Sequence, residues 1–440
     1  MLITFTLVTA ALLLGTVCDL LVLLSRSDRR AELTTRWKTP QLFLGKVLPR
    51  FRQELSRVSL WAGTVLFLGQ DFFLQVMAQL FPQVPQDSVF VVWAGLLCLV
   101  VVIRIACLPF SFQQLAFLFP LFLLAWLIIL STPGNAYFDM VAQPICLLLF
   151  FMQAPLRRVM KLGFGIKAIY MALTIVLCLT GRIADHWNWL TDDGRYALGF
   201  GHYNVLGMAV FELLLLYVCL RFAHWRWWDT LLLPFAAVFV WLVPQSRTAS
   251  LAILALWALV LIGRWLPKLL SFRLIQAGLS SLWGLLAVAS LLCGRFLYIH
   301  PFLQRVNDLL SNRLFIIHSQ LLGPSFQWFG AVSNGSMATS DSWVASIWEQ
   351  QRLAGLYNYN LIDNGYAFCL YMAGPFWLAF FCIAYGLLIW RFLRSGRQNW
   401  PLAFLLTVLA LYTVTEREFA NFWALILLGN LFCTKKLSLD

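Results

Sequence analysis

The residues best suited to chemistry stand together in one polar stretch, GRIADHWNWLTDDGRYALGFGHYN, at positions 181–204. It holds two arginines, three aspartates and two histidines between long apolar runs. Imidazole and carboxylate groups can move protons near neutral pH, and guanidinium groups bind phosphate through paired hydrogen bonds. Because charged groups are costly in hydrocarbon, a chain that is 12% charged and 61% hydrophobic is expected to keep them for function.

Apolar helices must position this stretch. The mean hydropathy is +0.80, and a hydrocarbon core of about 30 Å takes about 20 helical residues to cross. We therefore predict an all-α polytopic membrane protein with about 12 to 14 transmembrane helices and one long and one medium outer-face loop. The candidate runs are 2–24, 58–81, 89–109, 115–131, 139–154, 164–180, 205–221, 230–245, 248–264, 275–293, 365–390, 402–415 and 422–433. The first run lacks a small-residue cleavage site and is interpreted as an anchor.

The net charge of +13 could indicate nucleic-acid binding, but the positions of the charges argue against it. Most lysines and arginines cluster in alternate connections, which is the positive-inside pattern of a membrane protein. The basic clusters are 25–57, 155–167, 221–226, 264–273, 391–397 and the Lys435–Lys436 tail. This pattern predicts that these segments and the C-terminus are cytoplasmic.

The remaining connections are then external, and every positive residue in them is an arginine. A planar guanidinium can grip phosphate with two hydrogen bonds, so this set suits a phosphate site. The external arginines are Arg182, Arg195, Arg247, Arg295, Arg305, Arg313, Arg352 and Arg417. Four of the five histidines, His186, His202, His300 and His318, are also predicted to be external.

Sidedness and hydropathy together divide the chain into four sections. Residues 1–150 are predicted to hold about five transmembrane helices, and 151–293 the central helices with the outer loop 181–204. Residues 294–364 form a large outer-face loop with an amphipathic helix, and 365–440 the C-terminal helices and a short cytoplasmic tail. Within the large loop, Pro301–Leu322 is predicted to be a helix lying along the membrane surface, since apolar residues recur at helical spacing. Residues 331–345 are small and polar, which predicts a mobile loop.

Ser246–Arg247–Thr248 joins two apolar runs with almost no loop. Arg247 is therefore expected at or just below the outer interface, facing protein or water. An interfacial arginine whose head group snorkels to water is the alternative. Four ionisable residues lie deeper in apolar runs, and each is interpreted as structural: Asp19, Asp71, Arg104 and Glu212.

Three signatures now stand in order along the chain. The first is Arg195 followed by GFGHYN and Gly207, the second is the SRT turn, and the third is an outer segment with Arg305 and Arg313 that closes with DNGY at 363–366. Over about residues 160–430 the chain resembles the bacterial surface polysaccharide polymerases, the O-antigen polymerase and ligase superfamily of C-type membrane glycosyltransferases. It departs from that pattern at Tyr203, where members often carry proline.

The resemblance implies a GT-C-like fold and a polysaccharide polymerase of O-antigen, capsule or exopolysaccharide. Such an enzyme joins oligosaccharide repeat units carried on undecaprenyl pyrophosphate, on the outer face of a bacterial plasma membrane. It needs no metal or other cofactor, because undecaprenyl pyrophosphate is part of the substrate. The implied partners are the lipid-linked oligosaccharide, membrane lipids, a chain-length regulator and a flippase, and no nucleic acid.

Roles for individual residues follow as hypotheses. Arg247 and Arg313 are predicted to hold the donor pyrophosphate, with Arg195 and Arg305 supporting them or binding the acceptor. His202 is the first choice for the base that activates the acceptor hydroxyl, Asp363 the second, and Glu416 or Glu418 the third. Asn204, Asn364 and Tyr366 are further predicted substrate contacts. His202 with Asn204, and Asp363 with Asn364, could instead cap the helices that follow them.

Two other functions compete. A ligase that transfers a finished glycan belongs to the same superfamily and is separated poorly by sequence. A lipid-linked oligosaccharide flippase or exporter would be expected to show two related halves, and no internal repeat is visible.

Overall fold

A computed structural model describes residues 49–72, 76–81, 83–84, 86–108, 112–131, 138–185, 195–310, 313–322, 364–416 and 420–429. The predicted anchor 2–24, the predicted mobile loop 331–345 and the candidate bases Asp363 and Glu418 lie outside the described residues.

Regular structure in the described residues is helical throughout. The α-helices are α1 (Pro49–Asp71), α2 (Met77–Leu80), α3 (Gln86–Cys107), α4 (Phe112–Ser131), α5 (Phe138–Phe151), α6 (Leu156–Leu179), α7 (Tyr203–Arg221), α8 (Trp227–Leu242), α9 (Arg247–Trp265), α10 (Pro267–Ser271), α11 (Arg273–Arg295), α12 (Pro301–Leu309), α13 (Arg313–Leu322), α14 (Gly365–Arg394), α15 (Trp400–Thr413) and α16 (Phe422–Gly429). Short 3-10 turns lie at Phe222–His224 and Arg397–Asn399. The all-α prediction is confirmed for this part of the chain.

Five of these helices are long and apolar enough to cross a membrane, as expected of a multi-pass membrane protein. They are Leu156–Leu179, Tyr203–His224, Arg247–Trp265, Arg273–Arg295 and Gly365–Arg394. Shorter apolar helices contribute Val91–Cys107, Leu118–Leu130, Val141–Phe151 and Trp227–Leu242.

The start of α6 differs from the prediction. The apolar run was expected to begin at residue 164, but the helix begins at Leu156, so most of the predicted basic cluster 155–167 lies within the helix. The ammonium group of Lys167 pairs with the carboxylate of Glu212 on α7, a buried side chain. A lysine is tolerated there because a neighbouring helix supplies the opposite charge.

The predicted surface helix over Pro301–Leu322 is two helices, α12 and α13. The side-chain oxygen of Asn307 on α12 accepts a hydrogen bond from the main-chain N–H of Phe315 on α13, at 2.9 Å. Asn307 is therefore buried, whereas the apolar Leu309 is 79% exposed. An exposed apolar face suits a helix that lies along a membrane surface.

The described residues pack as two compact units. The first takes in the described residues of Met1–Leu123, Ile145–Ile253 and Gly429–Asp440. In it, α1 packs on α3 and α6, and α6 packs on α7. Arg104 of α3 is buried and donates hydrogen bonds to the carbonyls of Phe150 and Met152, each at 3.3 Å, and to Ser56. Arg104 is thus structural, as expected.

The second unit takes in the described residues of Leu124–Pro144 and Leu254–Leu428. Its core is formed by α11, α14 and α15. Trp283 of α11 is fully buried, and its indole N–H donates to the carbonyl of Leu406 at 3.1 Å. α13 packs on the end of α11, where the Nδ1 of His318 lies 2.9 Å from the carbonyl oxygen of Gly294.

Candidate functional site

The backbone at the GFGHYN turn, which carries polar residues of the predicted site, is strained. Leu198, Gly199 and Gly201 all have positive φ, at 47°, 87° and 75°, a region that glycine enters without steric cost. Gly199 also has no room for a side chain, because a Cβ there would lie 2.7 Å from the Cδ1 of Ile183. The two glycines therefore allow the turn to sit against the segment that follows α6 and to present His202 at the start of α7.

His202 caps α7. Its Nδ1 accepts a hydrogen bond from the main-chain N–H of Asn204 at 3.2 Å. The capping alternative is thus the observed arrangement, with His202 and not Asn204 as the cap residue. A neutral imidazole that accepts through Nδ1 carries its hydrogen on Nε2. To act as a base, His202 would have to release this cap.

Tyr203 contacts Arg195, which precedes the turn, and His202, which lies within it. The guanidinium carbon of Arg195 lies 4.5 Å from the centre of the Tyr203 ring. The same ring stacks on His202 with 4.1 Å between centroids. A cation over an aromatic face is attracted to it, so Tyr203 positions both Arg195 and His202. Tyr203 is not among the predicted site residues, although it stands where the family that the sequence resembles often has proline.

Two connections that are far apart in sequence meet here. The main-chain N–H of Tyr196 donates to the carbonyl of Val243 at 3.3 Å. The hydroxyl of Ser246 donates to the side-chain oxygen of Asn204 at 3.1 Å. These bonds join the GFGHYN turn to the SRT turn, so the two connections lie together, as they must if their residues form one site.

Close helix packing strengthens the junction. A Cβ on Gly207 in α7 would lie 2.6 Å from the Cβ of Ser246 and 3.2 Å from that of Ala249 in α9. The first turns of α7 and α9 are therefore in direct contact. The N-termini of α7 and α9 bring a partial positive charge to the same region, which favours an anion, although the N–H groups of Asn204, Val205 and Leu206 are already bonded to His202.

Arg247 is the first residue of α9 and is exposed. Among the described residues, its side chain makes no hydrogen bond or ion pair. A snorkelling arginine would also be exposed, but this one stands beside Ser246 at the junction of two helix N-termini. We call Arg195, His202, Tyr203, Asn204, Ser246 and Arg247 the loop cluster. It lies wholly within the first unit.

The other predicted residues lie in the second unit. Arg313, the first residue of α13, forms an ion pair with Glu416 at 3.0 Å, and the two side chains are only 15% and 17% exposed. The positive charge of Arg313 is therefore balanced by the protein itself. Arg305 is exposed on α12. The sequence predicts Glu416 only as a remote candidate base and gives no sign of its pairing with Arg313.

Asn364 and Tyr366 have structural contacts. The side-chain oxygen of Asn364 accepts from the N–H of Ala367 at 2.9 Å, so Asn364 caps α14, and its amide nitrogen donates to the carbonyl of Val414 at 2.6 Å. Tyr366 is 0% exposed, and its hydroxyl donates to the carbonyl of Ala410 at 2.8 Å. These bonds hold the start of α14 against the end of α15. In the described ranges, no three His, Cys, Asp or Glu side chains gather so that they could hold a metal ion.

Comparisons of the chain with protein-family models, with curated proteins and with solved structures found no match.

Proposed function

We propose that this chain is a membrane glycosyltransferase of GT-C-like fold that polymerises oligosaccharide repeat units carried on undecaprenyl pyrophosphate. The reaction would take place on the outer face of a bacterial plasma membrane. One observation carries the proposal: the hydrogen bond between Ser246 and Asn204 joins two predicted outer connections, so that Arg195 and Arg247 both stand at the paired first turns of α7 and α9.

The electrostatics of the loop cluster support a phosphate ligand. Arg247 is an exposed cation without a protein counter-charge in the described ranges. Arg195 is held over Tyr203, which fixes its head group. Two helix N-termini add partial positive charge. A pyrophosphate diester that enters from the membrane surface would meet all of these groups while its polyprenyl tail stays in lipid.

Glycosyl transfer needs a site that stabilises the departing pyrophosphate, together with a base for the acceptor proton. The acceptor hydroxyl oxygen forms a bond to the anomeric carbon of the donor sugar, and the bond from that carbon to the pyrophosphate oxygen breaks. Negative charge develops on the departing pyrophosphate, and fixed guanidinium groups stabilise it. We assign this role to Arg247, with Arg195 as the supporting cation.

The proton of the acceptor hydroxyl must pass to a base. We retain His202 for this step, with Nδ1 released from its cap, and Asp363 as the second choice. Arg305 and Arg313 stay predicted contacts for the substrate pyrophosphates. Tyr366 is left out of the proposed contacts, because its hydroxyl and its ring are taken up by packing.

The direct test is synthesis by the full chain in lipid nanodiscs supplied with its undecaprenyl-pyrophosphate repeat unit, without nucleotide and with a chelator. A polymerase should produce a ladder of products on a gel. Transfer to a separate acceptor without a ladder would identify a ligase. Translocation of the lipid without a new glycosidic bond would identify a flippase, and either result would contradict the proposal.

A pair of variants tests the site itself. Arg247→Ala should lower turnover about 100-fold or more, as removal of a charge-stabilising donor does in other enzymes. Arg182→Ala is the matched control, since Arg182 is also an exposed arginine in a predicted outer connection, and it should retain activity. Equal activity of the two variants would remove the phosphate-binding role of Arg247.

A further inference from the structure

A second ligand-sized feature lies at the opposite end of α6 from the loop cluster. It is a groove of about 830 Å³ between α1, α3 and α6, all within the first unit. The groove is open along one side. The walls include Trp61, Val65, Leu96, Val100 and Leu162, and the groove holds one charged residue, Arg158.

Arg158 is the charged residue that lines this apolar groove. It is the third residue of α6. Its side chain is exposed, and that side chain forms no hydrogen bond or ion pair within the described ranges. Lys161, one turn further along α6, is likewise exposed. An exposed guanidinium without a described partner beside an apolar groove suits an anionic group there.

The hydrogen bonds of Arg104 identify the end of the groove that lies near Arg158. They tie Ser56 of α1 and the carbonyls of Phe150 and Met152 to the last turn of α3, close to where α6 begins. The walls are thus held together at the end that carries Arg158. From Trp61 to Val65 the groove continues about 6 Å deeper along α1, at 1.5 Å per residue, and its deeper walls are apolar.

We propose that this groove binds an anionic phospholipid, with the headgroup phosphate on Arg158 and one acyl chain along α1, α3 and α6. Arg158 belongs to the face predicted to be cytoplasmic, so the lipid would come from the inner leaflet, where basic pockets between helices bind anionic headgroups. A soluble anion would leave the apolar walls unused, and an uncharged lipid would leave Arg158 without a partner.

Native mass spectrometry of the purified full chain can test the headgroup. Phosphatidylglycerol and phosphatidylcholine with identical acyl chains serve as probes. The protein should retain phosphatidylglycerol about tenfold more strongly, in line with one charge-assisted hydrogen bond. Arg158→Ala should remove that preference, and Leu162→Trp should reduce retention of both lipids. Arg273→Ala, another exposed arginine in the first turn of a helix, should behave as the unmodified chain. Equal phosphatidylglycerol retention by the Arg158→Ala and Arg273→Ala variants would overturn the proposal.

A photo-crosslinking amino acid in place of Val65, which lines the groove and is exposed, identifies the occupant directly. The proposal requires a mass increase equal to one phospholipid after illumination in vesicles that contain phosphatidylglycerol. A crosslinked dimer on a gel, or a crosslink to another segment of the same chain, would show that protein covers the groove and would refute the lipid assignment.

Discussion

The hydroxyl of Ser246 donates a hydrogen bond to the side-chain oxygen of Asn204 across 3.1 Å, although the two residues are separated by 42 positions in the chain. Ser246 precedes Arg247, and Asn204 follows His202 and Tyr203. This one bond therefore couples the position of the predicted phosphate-binding arginine to that of the predicted base. Ser246 is 1% exposed, so water cannot easily replace its partner.

The packing of α7 on α9 is tested by Gly207→Ala. The added Cβ would lie 2.6 Å from the Cβ of Ser246, so the first turns must separate and the Ser246–Asn204 bond should be lost. We expect a loss of about 1–3 kcal/mol of stability from overpacking and a clear fall in turnover. The measurements are thermal unfolding in detergent and the polymerisation assay.

Gly165→Ala is its control, since a Cβ at Gly165 in α6 meets nothing within 4 Å. This change should be neutral or slightly stabilising, because alanine is the better helix former by about 1 kcal/mol. If both variants behaved alike, the close approach at Gly207 would have no functional importance.

The cap and the proposed base role of His202 can be separated by substitution. His202→Asn keeps a favoured cap residue, whereas His202→Ala loses the cap and should cost about 1 kcal/mol of stability. If the imidazole accepts the acceptor proton, both variants should lose turnover, and only the alanine variant should unfold at a lower temperature. Full turnover by the asparagine variant would show that capping is the whole role of His202.

Tyr203 should act through its ring. Tyr203→Phe keeps the aromatic face beneath Arg195 and should bind the lipid-linked donor nearly as well as the unmodified chain. Tyr203→Leu removes that face, and we expect KM to rise by about two- to fivefold, since an exposed cation–π contact contributes about 0.5–1 kcal/mol. Equal KM values for the two variants would mean that Arg195 does not depend on the ring.

The Arg313–Glu416 pair allows a structural role of Arg313 to be tested separately from a role in substrate binding. Arg313→Ala leaves the carboxylate of Glu416 mostly buried without its partner and should destabilise the protein by about 1–3 kcal/mol. The double variant Arg313→Ala with Glu416→Gln should recover most of that stability, because no unpaired charge is left.

Activity provides the second readout for this pair. If Arg313 also holds a substrate pyrophosphate, the double variant should stay impaired in donor KM although its unfolding temperature is restored. Recovery of both stability and KM would assign Arg313 to the fold alone.

The sequence by itself determined the helices and most of their limits. The run predicted at 248–264 is α9, Arg247–Trp265, and the run at 275–293 is α11, Arg273–Arg295. Uninterrupted apolar residues must form helices to satisfy their main-chain groups in lipid, so local composition is enough. The caps of α7 and α14 could also be predicted from the sequence, because a cap is formed by residues next to the helix.

Only the tertiary structure decided which distant side chains meet. Lys167 of α6 pairs with Glu212 of α7, 45 positions away, which the local sequence does not indicate. Ser246 finds Asn204, and Arg313 finds Glu416, through helix packing that no local pattern encodes. Hydropathy reports the preference of each segment for lipid, whereas the pairing of polar groups depends on the rotation and register of neighbouring helices. The loop cluster exists because Gly207 allows α7 and α9 to approach closely at their first turns.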